Sequence, residues 1–223
     1  MASGEILMNI LVNNKMKKYI GVILAIVILV LAIGCSTPSE QTLSDGIEAV
    51  GSRNYDKAIS QFTSYIELVP NDYLGYFWRG TCYRQKGEYD LAITDFNKSI
   101  ELNPQYWYTY ENRGLSYVAK GLYEPAERDF TTSIEGDPDQ PTYYYNRGLA
   151  YFYDEKYTQS IADFDMCIQL SPDNSNFYNA RADVYIAQGQ TSSAIADLNM
   201  IVQLNNDTVL VENAQSRLKT LQP

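Results

Sequence analysis

Histidine is absent from all 223 residues. Histidine-based triads, histidine general bases and histidine metal sites are thereby excluded. Cysteine is scarce, with Cys35, Cys82 and Cys167 alone, too few for a disulfide framework. The 13 glycines never cluster into a phosphate-binding loop. Positive charge is short as well: 17 Lys and Arg face 27 Asp and Glu, a net charge of −10, which argues against nucleic acid and against adsorption to anionic lipid. Long apolar runs are missing apart from Tyr19 to Ile33. No residues here assemble a reaction, so the expectation is a protein that is not an enzyme, with no cofactor and no metal.

What the chain has instead is tyrosine, 20 residues of it, and a period. Tyr76, Gly80, Tyr83, Gly87, Ala92, Phe96 and Pro104 recur 34 residues later as Tyr110, Gly114, Tyr117, Gly121, Ala126, Phe130 and Pro138. A further step gives Tyr144, Gly148, Tyr151, Glu155, Ser160, Phe164 and Pro172. The frame extends back through Gly46, Ala58, Phe62 and Pro70 and forward through Tyr178, Ala182, Tyr185, Gly189, Ala194 and Leu198. Five units result: 39–72, 73–106, 107–140, 141–174 and 175–208. The outer ones depart most, with Thr42 and Ala49 in place of Tyr and Asn206 in place of Pro.

Each unit reads as two helices. Tyr76, Gly80 and Tyr83 share one stripe at helical spacing. Glycine inside a helix costs about 1 kcal/mol relative to alanine, so Gly80, Gly114 and Gly148 imply close approach of a second helix. Gly87, Gly121 and Gly189 fall where a left-handed residue would end the first helix. Asp56, Asp90, Glu124, Thr158 and Ser192 share the next helix start and are expected to cap it or favour its dipole. The second helix turns Ala92, Ile93, Phe96 and Ile100 inward, and Pro104 ends it. Arg79, Arg113, Arg147 and Arg181 occupy one repeat position, and Asp95, Asp129, Asp163 and Asp197 another sixteen residues on; the first unit has neither. A bridge from each Arg to the Asp of its own unit leaves no charge orphaned. The alternative is a set of independent surface charges, since exposed pairs contribute only about 0–1 kcal/mol.

This pattern resembles the tetratricopeptide repeat, a helix-turn-helix unit. The resemblance implies an all-α fold, a right-handed α–α superhelix whose concave face is lined by the second, fifth, ninth and twelfth residues of each first helix. Those places hold Leu74, Phe77, Thr81 and Arg84, then Tyr108, Glu111, Leu115 and Val118, then Thr142, Tyr145, Leu149 and Phe152. A groove lined by Phe77, Tyr108, Tyr145 and Phe152 suits an extended peptide or an amphipathic helix. The subclass that clamps carboxyl termini needs a basic fifth residue; Leu43, Phe77, Glu111, Tyr145 and Asn179 stand there, which excludes it despite Asn112 and Asn146. In a solenoid whose units touch only their neighbours, Cys82 and Cys167 are too far apart in the chain to pair. Beyond the fifth unit, Val211, Ala214, Leu218 and Leu221 recur at helical spacing, so residues 209–223 read as a capping helix.

The first 34 residues differ from the rest. Lys15, Lys17 and Lys18 precede the apolar run, whose fifteen residues reach about 22 Å, short of a bilayer core of about 30 Å. A basic head, a short apolar body and small residues describe a secretory signal. Leu31-Ala32-Ile33-Gly34-Cys35 resembles a prokaryotic lipobox, which implies acylation of Cys35; Ala32 stands where that family prefers Leu. Translation from Met1, Met8 or Met16 fits, and so does an uncleaved signal anchor. The lysines keep the amino terminus in the cytoplasm. The repeats are thus expected outside it, at the cell membrane or outer membrane, on a polar tether of residues 35–41. Counted from Cys35, the basic residues fall to 14 and the acidic ones to 26, a net charge of −12.

Two functions are compatible with this reading. One is a lipid-anchored scaffold that binds a protein or peptide client, as in envelope complex assembly. The other is a structural protein that associates with copies of itself and is held by an uncleaved N-terminal helix.

Overall fold

The structure, a computed structural model, describes residues 37–222. Residues 1–34, Cys35 and the start of the tether lie outside the described residues. Eleven helices and no strand occur among the described residues. In chain order they are α1 Pro38–Gly51, α2 Tyr55–Leu68, α3 Tyr73–Gln85, α4 Tyr89–Leu102, α5 Trp107–Ala119 and α6 Tyr123–Gly136. They continue as α7 Pro141–Tyr153, α8 Tyr157–Leu170, α9 Ser175–Ala187, α10 Thr191–Leu204 and α11 Thr208–Leu221. Odd and even helices pair into hairpins, and each even helix also packs on the next odd one.

The glycine at the eighth place of each first helix is explained by a ring. A Cβ on Gly80 would lie 2.9 Å from Phe96, on Gly114 2.7 Å from Phe130, and on Gly148 2.9 Å from Phe164. Each Phe is fully buried against that bare backbone. The last unit reverses both sizes: Ala182 replaces the glycine and the shorter Leu198 replaces the ring, and both are fully buried. Summed volume, not residue type, is what the interior holds constant.

The hairpin turn has one geometry throughout. Arg53, Gly87, Gly121, Glu155 and Gly189 all have positive φ, from 57° to 79°. Gly87 N–H bonds the Arg84 carbonyl at 3.0 Å and Glu88 N–H the Tyr83 carbonyl at 2.9 Å, and the other four turns repeat this pair of bonds. These are the two bonds of a Schellman motif. The expected capping position shifts as a result. The residues before the second helices are Asn54, Glu88, Leu122, Lys156 and Gln190, and of these only Asn54 caps with its side chain, to Lys57 N–H at 3.2 Å. Asp56, Asp90, Glu124, Thr158 and Ser192 sit one residue inside the first turn, where the three acids favour the dipole without capping. Asp56 is taken instead by Lys86 of the next unit at 2.7 Å, and Asp90 by Lys120.

Curvature follows from unequal contact between the two helix layers. Successive odd helices touch one another along the whole stack, whereas no two even helices do. The odd helices therefore lie on the inner side of the curve. At the carboxyl end α11 packs on α10 and α9, burying Val211 and Ala214 against Tyr178, Ala182, Leu198 and Ile201. Its Glu212, Gln215 and Lys219 remain exposed.

Candidate functional site: the inner face

Four arginines fix the inner helices to the outer ones. Arg79 donates from Nε and Nη2 to both oxygens of Asp95 at 2.8 Å, and Arg147 does the same to Asp163 at 2.8 Å. Arg113 to Asp129 and Arg181 to Asp197 repeat this at 2.7–2.9 Å. The third nitrogen reaches backward: Arg79 Nη1 donates to Thr63 at 3.2 Å, Arg113 to Asn97 at 2.6 Å, Arg147 to Thr131 at 3.0 Å, and Arg181 to Asp165. One side chain thus closes its own hairpin and clips it to the unit before.

Tyrosines complete this arrangement. Arg147 lies over the rings of Tyr144 and Tyr151 at 5.9 and 5.8 Å, and Arg113 and Arg181 are flanked in the same way. The repeated tyrosines therefore serve the arginine as well as the core. Burial raises the carboxyls of Asp129 and Asp163 even though the arginine opposes it. Burial also pulls Arg113 and Arg147 down, but the bonds to their aspartates and the charge on those aspartates together outweigh it and hold both above the ordinary range.

The residues expected to line the groove divide into two sets. Phe77 is only 6% exposed, packed at 5.1 Å on Tyr106 and 6.4 Å on Phe96, so it is spent on the interior of its own unit and does not line a surface. Tyr145 is half-buried, 5.8 Å from Phe164 and 5.7 Å from Phe177, with Leu149 and Phe152 packed on the same cluster. Tyr108 stands out at 47% exposure, and Leu74 is half-buried. Helical spacing could not separate these, because the depth of a first-helix residue depends on the rings that its own unit and the next bring against it.

A polar cluster interrupts this aromatic surface. Asn146, on α7 and itself buried, donates to Glu111 Oε1 at 3.0 Å. Burial pushes the Glu111 carboxyl up, while Arg84 and the Asn146 bond pull it down. Arg84, on α3, is lowered by burial, with the Glu111 charge and the phenols of Tyr89 and Tyr55 acting against that. Its Nε is buried without an acceptor among the described residues.

Two further hollows lie toward the carboxyl end. One of about 490 Å³ between α9 and α11 has Ile186, Val209 and Leu210 beside Arg217, which bonds Asn179 at 2.9 Å and Asp183 at 2.5 Å. Nothing in the repeat pattern announced it, because α11 lies outside the period. The other is polar, around Asn206, which bonds Ser175 at 2.5 Å and the Asp173 carbonyl in place of the missing proline. Cys82 and Cys167 are free and fully buried. No group of acids and cysteines able to hold a metal, and no helix long and apolar enough to cross a membrane, occurs among the described residues.

Family profiles described as tetratricopeptide repeat match residues 73–106 and 141–174, and a second profile of that description matches 164–196. The hairpins at 73–106 and 141–174 are tetratricopeptide repeats, and the fold of the chain is the helical solenoid such hairpins build. No curated protein matches the sequence. Among solved structures the chain is similar to MamA from Desulfovibrio magneticus RS-1, at TM-score 0.73 and 17% identity over 78% of this chain and 98% of that one. It is also similar to TTC0263, a thermophilic tetratricopeptide-repeat protein of Thermus thermophilus, at TM-score 0.62 and 20% identity over 81% and 98%. A third is YrrB, described as having an unusual peptide-binding site, at TM-score 0.66 and 14% identity over 78% and 90%. At these identities the likeness is one of fold.

Proposed function

We propose that this protein is a lipid-anchored scaffold outside the cytoplasm, whose inner face binds an extended peptide or amphipathic helix of a client during assembly of an envelope complex. A protein-interaction scaffold is the role the repeat fold supports. The observation that carries the groove is Tyr108, a large ring 47% exposed on the inner helix α5, with Tyr145, Leu149 and Phe152 half-buried on the next inner helix, α7. A peptide-binding site named for YrrB adds support, because it shows the fold in that use. The anchor rests on the sequence around Cys35 alone.

Both parts are testable. A photo-crosslinking residue in place of Tyr108 should join the protein to another polypeptide in cells, while the same residue in place of Leu68 at the end of α2 should not. Equal yields from the two positions reject the groove. Tyr108 is the better probe than Tyr145, whose ring packs on Phe164 and Phe177. If the crosslinked species is a second copy, and purified protein forms a concentration-dependent oligomer lost on Tyr108→Ser, the self-associating reading prevails. For the anchor, labelled fatty acid should enter the wild type and not Cys35→Ala; equal incorporation rejects acylation at Cys35.

A further inference from the structure

Comparison of the five units with one another singles out two residues. The twelfth place of the first helix is apolar in four units, as Val50, Val118, Phe152 and Ile186, and is charged only as Arg84. The fifth place holds Leu43, Phe77, Tyr145 and Asn179, and an acid only at Glu111. The two exceptions lie on neighbouring inner helices, α3 and α5, in the middle of the stack. A repeat that merely stacks has no use for charge at either place, since neither place carries a charge in any other unit.

The two exceptions form no direct bond with each other. Glu111 acts on Arg84 electrostatically, but the pair does not close to the 4.0 Å of an ion pair. Its Oε1 is occupied by Asn146. Among the described residues Arg84 donates no hydrogen bond at all, and its Nε is buried with no acceptor. Every other arginine on the first helices of the five units is bidentate to an aspartate. A half-buried guanidinium without an acceptor is costly, and a planar carboxylate satisfies two of its donors at once.

We infer that Arg84 is the anchor for a single carboxylate, an Asp or Glu side chain carried by a client peptide lying along the inner face. This rests on the groove reading above and names what the groove selects. The occupant is a peptide with little other negative charge. With a net charge of −12 from Cys35 onward, the protein repels an acidic chain as a whole, is indifferent to a neutral one and attracts a basic one. Glu111, fixed by Asn146 beside the anchor, reinforces this by disfavouring a second acid next to the first. Tyr108, on the same helix as Glu111, offers a ring for an apolar neighbour of the anchored residue.

The test uses two randomised peptide pools with amidated carboxyl ends, both drawn from apolar, polar neutral and basic residues. One has aspartate fixed at the centre, the other asparagine. The full chain in detergent should retain the aspartate pool about tenfold better, the difference expected for a charge-assisted bidentate contact. Arg84→Gln should retain both pools equally. Glu111→Gln should widen the preference, because it removes the charge competing for Arg84 while leaving the Asn146 contact possible, an effect that a purely structural role for Arg84 does not produce. Equal retention of both pools by the wild type, or a preference that survives Arg84→Gln, overturns the anchor and leaves the groove standing. Retention of neither pool overturns both.

Discussion

A guanidinium gripped by a carboxylate of its own unit and a polar residue of the preceding one is repeated four times in this chain, with two phenol rings against it in three cases and one in the fourth. Because Arg147 and Asp163 are only 17% and 6% exposed at their side chains, truncating one leaves the other charge with little water to solvate it. Asp163→Ala should lower stability by about 3 kcal/mol in denaturant titration, whereas Arg147→Met with Asp163→Leu should recover most of that loss. An additive double variant would show that the two side chains act separately. The thiols behave differently. Burial pushes Cys82 and Cys167 from the ordinary 9.0 up to about 12. A raised folded-state value gives a stabilising contribution that is whole below pH 9 and fades as the pH climbs toward 12. Thermal unfolding should therefore fall in temperature across that window, and less steeply in Cys82→Ala/Cys167→Ala. Neither thiol should react with a disulfide reagent in the native protein at neutral pH.

Among the elements, the five hairpin turns are alike in backbone and unlike in residue. Arg53 and Glu155 hold the left-handed conformation that glycine holds at Gly87, Gly121 and Gly189. A side chain there costs about 1–2 kcal/mol, partly offset by the entropy glycine loses on folding. Arg53→Gly and Glu155→Gly should each stabilise the protein by about 0.5–1 kcal/mol, read as a shift in denaturation midpoint at unchanged slope. The glycines at 87, 121 and 189 were legible as helix ends because the chain shows them in register. The capping residues were not, because the Schellman turn makes the residue that closes one helix the residue that opens the next, and that overlap exists only in three dimensions. The closing helix is a separate case. Deleting residues 208–223 should expose Tyr178, Ala182, Leu198 and Ile201 and drive the remaining repeats to aggregate, read as early elution on size-exclusion chromatography.

For the whole molecule, a stack of small hairpins acts through the surface it curves. Its period, unit boundaries and pairing of helices were readable in the chain, since a 34-residue repeat leaves one way to bury each apolar stripe against its neighbours. The pairing of each arginine with its own aspartate was open to the same logic, by counting which units held both. Their reach into the preceding unit was not, because it needs the distance between hairpins. Nor could the sequence say which inner-face rings are spent on packing: Phe77 and Tyr108 sit in the same helical pattern, yet one is 6% exposed and the other 47%. By itself, then, the sequence determined the repeat and the helices, both of which follow from spacing along one chain. Only the tertiary structure decided which inward residues remain open to a partner and that Arg84 has no acceptor among the described residues, because both depend on what folding brings within a few ångströms.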